Sequence, residues 1–288
     1  MIQVPDFKII DEIIESALHE DIGDGDHTSL ATVPENATGK AKLLVKDNGI
    51  LAGVELAKII FKKVDSDLKL EVLIEDGSKV KVGDIAFYVS GRSRSILTAE
   101  RLVLNFMQRM SGIATQTHNL ASLIADLSTE LLDTRKTTPC VRMMEKWAVK
   151  IGGGSNHRFA LYDMIMIKDN HVDYAGGIIK AIDRVEAYLQ SNHKNLKIEI
   201  ETRNLNEVRL VLDRGGVDRI MLDNFSPEEI KAALAIIPRD KYEVEASGGI
   251  TSESIRSYAK TGVDYISSGA VTHSYQSLDL SLKAEFDL

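Results

Sequence analysis

Polar clusters recur behind short apolar runs in the second half of this 288-residue sequence. Asp133-Thr134-Arg135-Lys136-Thr137-Thr138 comes first. Lys168-Asp169-Asn170-His171, the pair Glu199 and Glu201, Asp223-Asn224, Glu245 with Ser247-Gly248-Gly249, and Ser268-Gly269-Ala270 follow. A glycine-rich run, Gly152-Gly153-Gly154-Ser155-Asn156-His157-Arg158, stands between the first two. Arginine can hold a carboxylate or a phosphate through two parallel hydrogen bonds, and lysine supplies a more mobile point charge. From Arg135 to His171 there are seven Lys or Arg and three acids, so this window carries four excess positive charges. A small polyanion is the partner that such a window suits. Arg142, Lys146 and Lys150, four apart, also read as one solvated helix face.

The glycine turns add a second kind of chemistry. Ser247-Gly248-Gly249 runs into a helix expected over residues 252–261, and Ser268-Gly269-Ala270 follows the next apolar run. Exposed backbone N–H groups in such turns, backed by a helix N-terminus, bind phosphate oxygens; the bland reading is that the glycines only make tight turns. Glu201 and Asp223 are oxygen donors of the kind Mg2+ takes, and ion pairing with Lys168 or Arg135 is the other reading. Cys140 follows Pro139, but no His and acid couple marks it as a nucleophile. The sequence contains no HExxH, GxSxG or Walker lysine motif.

These clusters need a frame that brings them to one edge. Candidate strands at residues 130–133, 164–167, 197–201, 219–222, 242–246 and 265–267 alternate with candidate helices at 140–151, 178–190, 205–213, 227–236 and 252–261. Strand-then-helix repetition makes a parallel sheet, and parallel α/β folds gather functional residues at the C-terminal ends of their strands. A closed or partly closed barrel is favoured. An open doubly wound sheet is the alternative, although no GxGxxG follows a first strand to support it. The preceding residues have another texture: an amphipathic helix over 6–18, short strands over 40–46, 69–74, 79–82 and 85–90, and helices over 54–64 and 99–112. That half reads as a small α+β sandwich.

Composition bounds the rest. With 44% hydrophobic residues the chain is globular, and 35 Lys and Arg against 43 Asp and Glu leave a formal charge of −8, which argues against a nucleic-acid partner. The single cysteine excludes an internal disulfide framework and fits a reducing compartment. The first residues show no secretory leader, and no run approaches the ~20 apolar residues of a membrane span, so a cytoplasmic protein with no membrane partner is expected.

The runs at residues 100–105, 108–115, 133–139, 152–158, 167–171, 222–224 and 245–250, in this order over nearly the whole chain, resemble those of the quinolinate phosphoribosyltransferases, the carboxylating nicotinate-nucleotide pyrophosphorylases. The resemblance implies an α/β fold: an N-terminal α+β sandwich, residues 1–112, then an open, incomplete α/β barrel, residues 113–288, with C-terminal helices packing back on the first domain. It also implies transfer of the phosphoribosyl group of 5-phosphoribosyl 1-pyrophosphate to quinolinate, giving nicotinate mononucleotide, pyrophosphate and CO2 in de novo NAD synthesis. By the same resemblance Thr134, Arg135, Lys136, His157, Arg158 and Lys168 bind the quinolinate carboxylates and the phosphate groups. Lys136, Glu201 and Asp223 are the implied catalytic residues, and Glu201 and Asp223 hold Mg2+ near the ribose, directly or through water. Ser247, Gly248, Gly249, Ser268, Gly269 and Ala270 form the implied 5′-phosphate cradle. Arg101 matches an arginine that reaches the quinolinate pocket of a neighbouring subunit, so a homodimer is the minimal unit and further assembly is open.

Two positions depart from the family pattern. Many relatives have Gly-Leu where this chain has Cys140-Val141, and Gly where it has Ala160. Two other functions remain in view: a phosphoribosyltransferase acting on nicotinate without decarboxylation, and a non-catalytic phosphate-metabolite binding barrel.

Overall fold

A computed structural model of the chain describes residues 4–285. Two compact units divide it: one holds residues 4–119, 136–153 and 270–285, the other residues 120–135 and 154–269.

The first unit opens with α1 (Phe7–Ile22) and α2 (His27–Thr32), followed by β1 (Thr38–Val45), β2 (Gly49–Ile50), α3 (Val54–Val64), β3 (Lys69–Val72), β4 (Lys79–Val80), β5 (Ile85–Arg92), α4 (Ser93–Ser122) as far as residue 119, and α5 (Arg142–Ile151). Strand alternation turns Ala41, Leu43 and Val45 of β1 inward, beside Phe87 and Val89 of β5. Leu56, Ile60 and Phe61 of α3 are buried too, and Phe61 meets Phe87 edge to face at 6.0 Å. Side chains of this size each contribute roughly 1.5–3 kcal/mol by leaving water.

The motif at residues 108–115 anchors this unit. Ser111 Oγ accepts the Ala52 amide and donates to the Ala52 carbonyl, while Thr115 Oγ1 accepts the Ile50 amide. A Cβ at Gly112 would lie 2.3 Å from the Gln276 carbonyl oxygen, so only glycine permits that approach. Lys146, expected on a solvated face of α5, is fully buried instead, because the helix is covered continuously from Met143 to Val149.

The second unit is the parallel α/β half. It comprises β6 (Glu130–Leu132), β7 (Ile165–Ile167), α6 (Asp169–Ala175), α7 (Ile178–Ser191), β8 (Ile198–Thr202), α8 (Leu205–Arg214), β9 (Arg219–Asp223), α9 (Pro227–Leu234), β10 (Glu243–Ser247), α10 (Ile255–Ala259) and β11 (Tyr265–Ser267). Its six strands run in the order β6-β11-β10-β9-β8-β7, all parallel. The ring is open between β6 and β7. Ser155 partly fills that seam: its amide donates to the Leu131 carbonyl at 2.8 Å and its carbonyl accepts the Asp133 amide at 3.1 Å. The helix expected over 252–261 is confined to Ile255–Ala259, because the Thr251 amide donates to Ser254 Oγ and holds the preceding residues in a turn.

Residues after β11 rejoin the first unit as α11 (Ala270–His273) and β12 (Leu280–Glu285). The resemblance implies helices in this return. Its last described element is instead a strand, with Leu280 and Leu282 buried in alternation and Leu43 opposite Leu282, so it extends the antiparallel sheet beside β1. No helix among the described residues is long and apolar enough to cross a membrane.

Candidate active site

Barrel interiors are usually filled by branched aliphatic side chains. This one is polar. In register across the sheet, Glu199 faces Arg219 and Arg219 faces Glu243; one layer nearer the C-terminal edge, Glu201, Met221, Glu245 and Tyr265 follow each other. Ile198, Ile200, Ile220, Leu222, Val244, Ala246 and Ile266 alternate with them and take the opposite face. Arg219 stitches the polar layers together. It donates to Glu245 Oε2 at 3.2 Å and to Glu243 Oε2 at 3.0 Å, and its guanidinium lies 4.0 Å from the Tyr265 ring centroid.

His157 enters this interior from the open seam. Fully buried Asp133, just after β6, accepts the His157 amide at 2.9 Å and the Asn156 side chain at 2.6 Å. The imidazole Nε2 stands between two carboxylates, 2.9 Å from Glu199 Oε2 and 3.4 Å from Glu245 Oε2. Burial opposes charging the ring, while Glu199 and Glu245 favour it and would push it up to about 9. The Arg158 amide, however, donates to Nδ1 at 2.6 Å, so the observed geometry is that of the tautomer with its proton on Nε2. Three such donors within 4.8 Å of one another could in principle hold a metal ion, but that tautomer occupies the nitrogen a metal would need. Burial, and after it Glu245, push the Glu199 carboxyl up to about 7.

The C-terminal edge carries the other expected residues of this unit. Thr134 and Arg135 follow β6, and Arg135 Nε is buried with no hydrogen-bond partner. Arg158 is 6% exposed, donates to the Met164 carbonyl at 3.1 Å, and has its pKa lowered by burial and then by the charge of Arg135. Two guanidinium groups are thus held close enough to repel, an arrangement that an anion between them would relieve. Lys168, exposed after β7, lies 3.7 Å from Glu201 Oε2. Burial raises Glu201 above the usual carboxylate range, with Lys168 opposing it. Asp223 ends β9 opposite Ser247, and accepts the Asn224 side chain at 2.6 Å.

Both glycine turns sit on this edge. Gly248 has φ +95°, and a Cβ there would meet Asn224 Oδ1 at 2.2 Å; Gly249 has φ +61° and open space around it. Ser247 Oγ accepts from Ser267 Oγ at 3.1 Å, and the Ser268 amide donates to the Leu132 carbonyl, so the turns after β10 and β11 are tied to neighbouring strands. α10 is too short to supply a substantial dipole.

Lys136, Ala270 and Arg101 belong to the first unit. Arg101 is exposed on α4, and Ala270 begins α11. Lys136 is exposed, its carbonyl accepting from Thr272 Oγ1 at 2.9 Å. Sequence reasoning did not single out the residues that hold this loop. Fully buried Glu145 accepts from Arg109 Nε and Nη2 and from the Thr138 amide, and Arg109 also donates to Thr138 Oγ1. Arg109, Lys136, Thr138, His273 and Tyr275 line a cavity of about 430 Å3. The spacing of Arg109 and Glu145 gave no hint of this pairing; Glu199 and Glu245 were visible as acids alternating with apolar residues, but not as partners of His157.

Known proteins resemble this chain over nearly its whole length. Residues 26–111 match the family described as quinolinate phosphoribosyl transferase, N-terminal domain, and residues 113–283 match its C-terminal domain. The chain is 47% identical over 290 residues to a decarboxylating quinolinate phosphoribosyltransferase of Nicotiana tabacum, covering 96% of this chain and 82% of the relative. It is 41% identical over 264 residues to a probable carboxylating nicotinate-nucleotide pyrophosphorylase of Bacillus subtilis, covering 91% and 89%. A solved nicotinate-nucleotide pyrophosphorylase from Francisella tularensis superposes with a TM-score of 0.89 at 40% identity over 98% of both chains. With both domain models matched in order and such identity over nearly its full length, the chain belongs to the quinolinate phosphoribosyl transferase family.

Proposed function

We propose that this chain transfers the phosphoribosyl group of 5-phosphoribosyl 1-pyrophosphate to quinolinate with loss of CO2, yielding nicotinate mononucleotide and pyrophosphate in NAD synthesis. The observation that carries the reading is buried Arg135 Nε, without a hydrogen-bond partner just after β6, on a strand-end edge that also bears Lys168, Glu201 and Asp223. In this reading Arg135, Arg158 and Lys168 take up the negative charge of quinolinate and, with Thr134 and Lys136, of the phosphate groups. The ring nitrogen is thereby held in line with ribose C1. As the C1–O bond to pyrophosphate breaks, positive charge develops at C1, where Glu201 and Asp223 offset it. His157 contributes by holding the segment before Arg158.

After the nitrogen is alkylated, its positive charge stabilises the carbanion whose electron pair remains on C2 when the C2 carboxylate departs as CO2. A proton then completes the product, and no electron-sink cofactor is needed. Glu201 and Asp223 provide hard carboxylate oxygens at adjacent strand ends, a donor set that fits Mg2+ directly or through water. Bound there, the ion would supply charge neutralisation for the pyrophosphate. The Ser247, Gly248, Gly249, Ser268, Gly269 and Ala270 turns offer amides to the 5′-phosphate. Exposed Arg101 is assigned to a second subunit's quinolinate pocket, which makes a homodimer the working unit. The lone cysteine suits a cytoplasmic setting.

Purified protein given both substrates and Mg2+ is expected to release CO2 and pyrophosphate in equal amounts. Release of neither sinks the proposal. Turnover of nicotinate without CO2 would favour the non-decarboxylating alternative, and quinolinate binding without turnover would favour a binding barrel.

A further inference from the structure

We infer that Glu199 and Glu245 are positioning residues, which hold the His157 ring across the barrel interior and through it set the Arg158 guanidinium at the open seam. The inference rests on the reading of Arg158 as a carboxylate-binding residue. In a closed barrel β6 and β7 would fix each other by backbone hydrogen bonds; here they do not pair. The segment between them is held at its start by Ser155 and Asp133. Nothing in the β6 ladder reaches as far as Arg158.

His157 extends that hold. Its amide is fixed by Asp133, its Nδ1 accepts the next amide, that of Arg158, and its Nε2 lies between carboxylates on β8 and β10. The ring therefore connects the seam to strands across the sheet. Nδ1 accepts the Arg158 amide and Nε2 faces Glu199 and Glu245 at ion-pair distance, so His157 acts on the substrate through the residue after it. The carboxylates are costly where they stand: both Glu199 oxygens and Glu245 Oε1 are buried without a hydrogen bond of normal geometry. Arg219 fixes only Glu245 Oε2 from the other side. A pair of acids buried at such cost, flanking one imidazole, has an explanation if that imidazole must not swing.

The test compares Glu199→Gln, which keeps an oxygen acceptor beside Nε2, with Glu199→Met, which fills a similar volume and offers none. Loss of one such contact is expected to raise the KM for quinolinate by about tenfold in Glu199→Met, with kcat and the KM for phosphoribosyl pyrophosphate moving less than about threefold. Glu199→Gln is expected to stay within about threefold of wild type on all three. If the two variants behave alike, or if Glu199→Met depresses kcat and shifts both KM values together alongside a lowered Tm, the inference is overturned. Should Glu199→Met yield no folded protein, the pair Glu245→Gln and Glu245→Met decides by the same criteria. A wild type that turns over no quinolinate overturns the proposed function and this inference with it, whereas indistinguishable variants of an active wild type overturn the inference alone.

Discussion

Arg109 and Glu145 form a charged pair beneath the loop that carries Lys136: Arg109 Nε and Nη2 reach Glu145 Oε1 at 2.9 and 2.6 Å, and Glu145 is wholly buried. Glu145 Oε2 also accepts the Thr138 amide, so one carboxylate holds both helix α4 and the residues just after Lys136. Replacing one partner of a buried pair leaves the other's charge uncompensated; with Arg109 partly exposed, Glu145→Ala is expected to cost roughly 3 kcal/mol. Thermal unfolding measures that cost. The freed loop should also lower kcat/KM by more than about tenfold, since about 1.4 kcal/mol of lost positioning suffices. An unchanged Tm would show that Glu145 does not hold the loop.

Stability should fall with rising pH in a window set by Glu199. Burial and the charge of Glu245 push this carboxyl up from 4.5 to about 7, so between those values the folded chain keeps a proton that the unfolded chain has released. The stabilisation is complete below the unfolded value and is lost as pH rises through about 7. Glu199→Gln has nothing to titrate there. Denaturant unfolding at a series of pH values should give wild type the steeper decline across this window; parallel curves for the two proteins would contradict the assignment.

Cys140 occupies a left-handed conformation, φ 68°. That conformation costs an L-residue roughly 1–2 kcal/mol. Glycine's greater freedom in the unfolded chain offsets roughly 0.5–1 kcal/mol of the gain. Cys140→Gly is therefore expected to stabilise by about 0.5–1 kcal/mol, a rise of about 1–4 °C in Tm for a chain of this size. A lowered Tm would mean that the exposed side chain makes a contact worth more than the strain.

Much of this architecture is legible in the sequence because parallel strands announce themselves as apolar runs ending in polar residues. Arg219–Asp223 and Tyr265–Ser267 are of this kind, and their clusters do lie on one edge. What escapes is whatever depends on neighbours distant in the chain. Ile198-Glu199-Ile200-Glu201 shows its alternation plainly, but the imidazole that Glu199 faces comes far earlier in the sequence, so the polar interior has no local signature. Lys146 fails for a related reason: its spacing from Arg142 and Lys150 describes one helix face, whereas burial depends on what covers that face. The same holds for β12, whose only cue is short alternation and whose reason to be a strand is the free edge of β1.

The two glycines after β10 should separate steric from conformational constraint. Both have positive φ, so alanine at either is strained by roughly 1–2 kcal/mol. At Gly248 the new methyl would also meet Asn224 Oδ1 at 2.2 Å and the Asn224 amide nitrogen at 2.9 Å; the side chain can turn, but the backbone cannot move without disturbing the bond from that amide to the Ser247 carbonyl. At Gly249 it would meet nothing within 4 Å. Gly248→Ala is therefore expected to lose more stability than Gly249→Ala, by about 1 kcal/mol or more. If these turns cradle the 5′-phosphate, Gly249→Ala should nonetheless raise the KM for phosphoribosyl pyrophosphate, because its methyl points into space the ligand would use. Calorimetric unfolding and steady-state kinetics on the two variants read both effects, and equal Tm losses would refute the steric part.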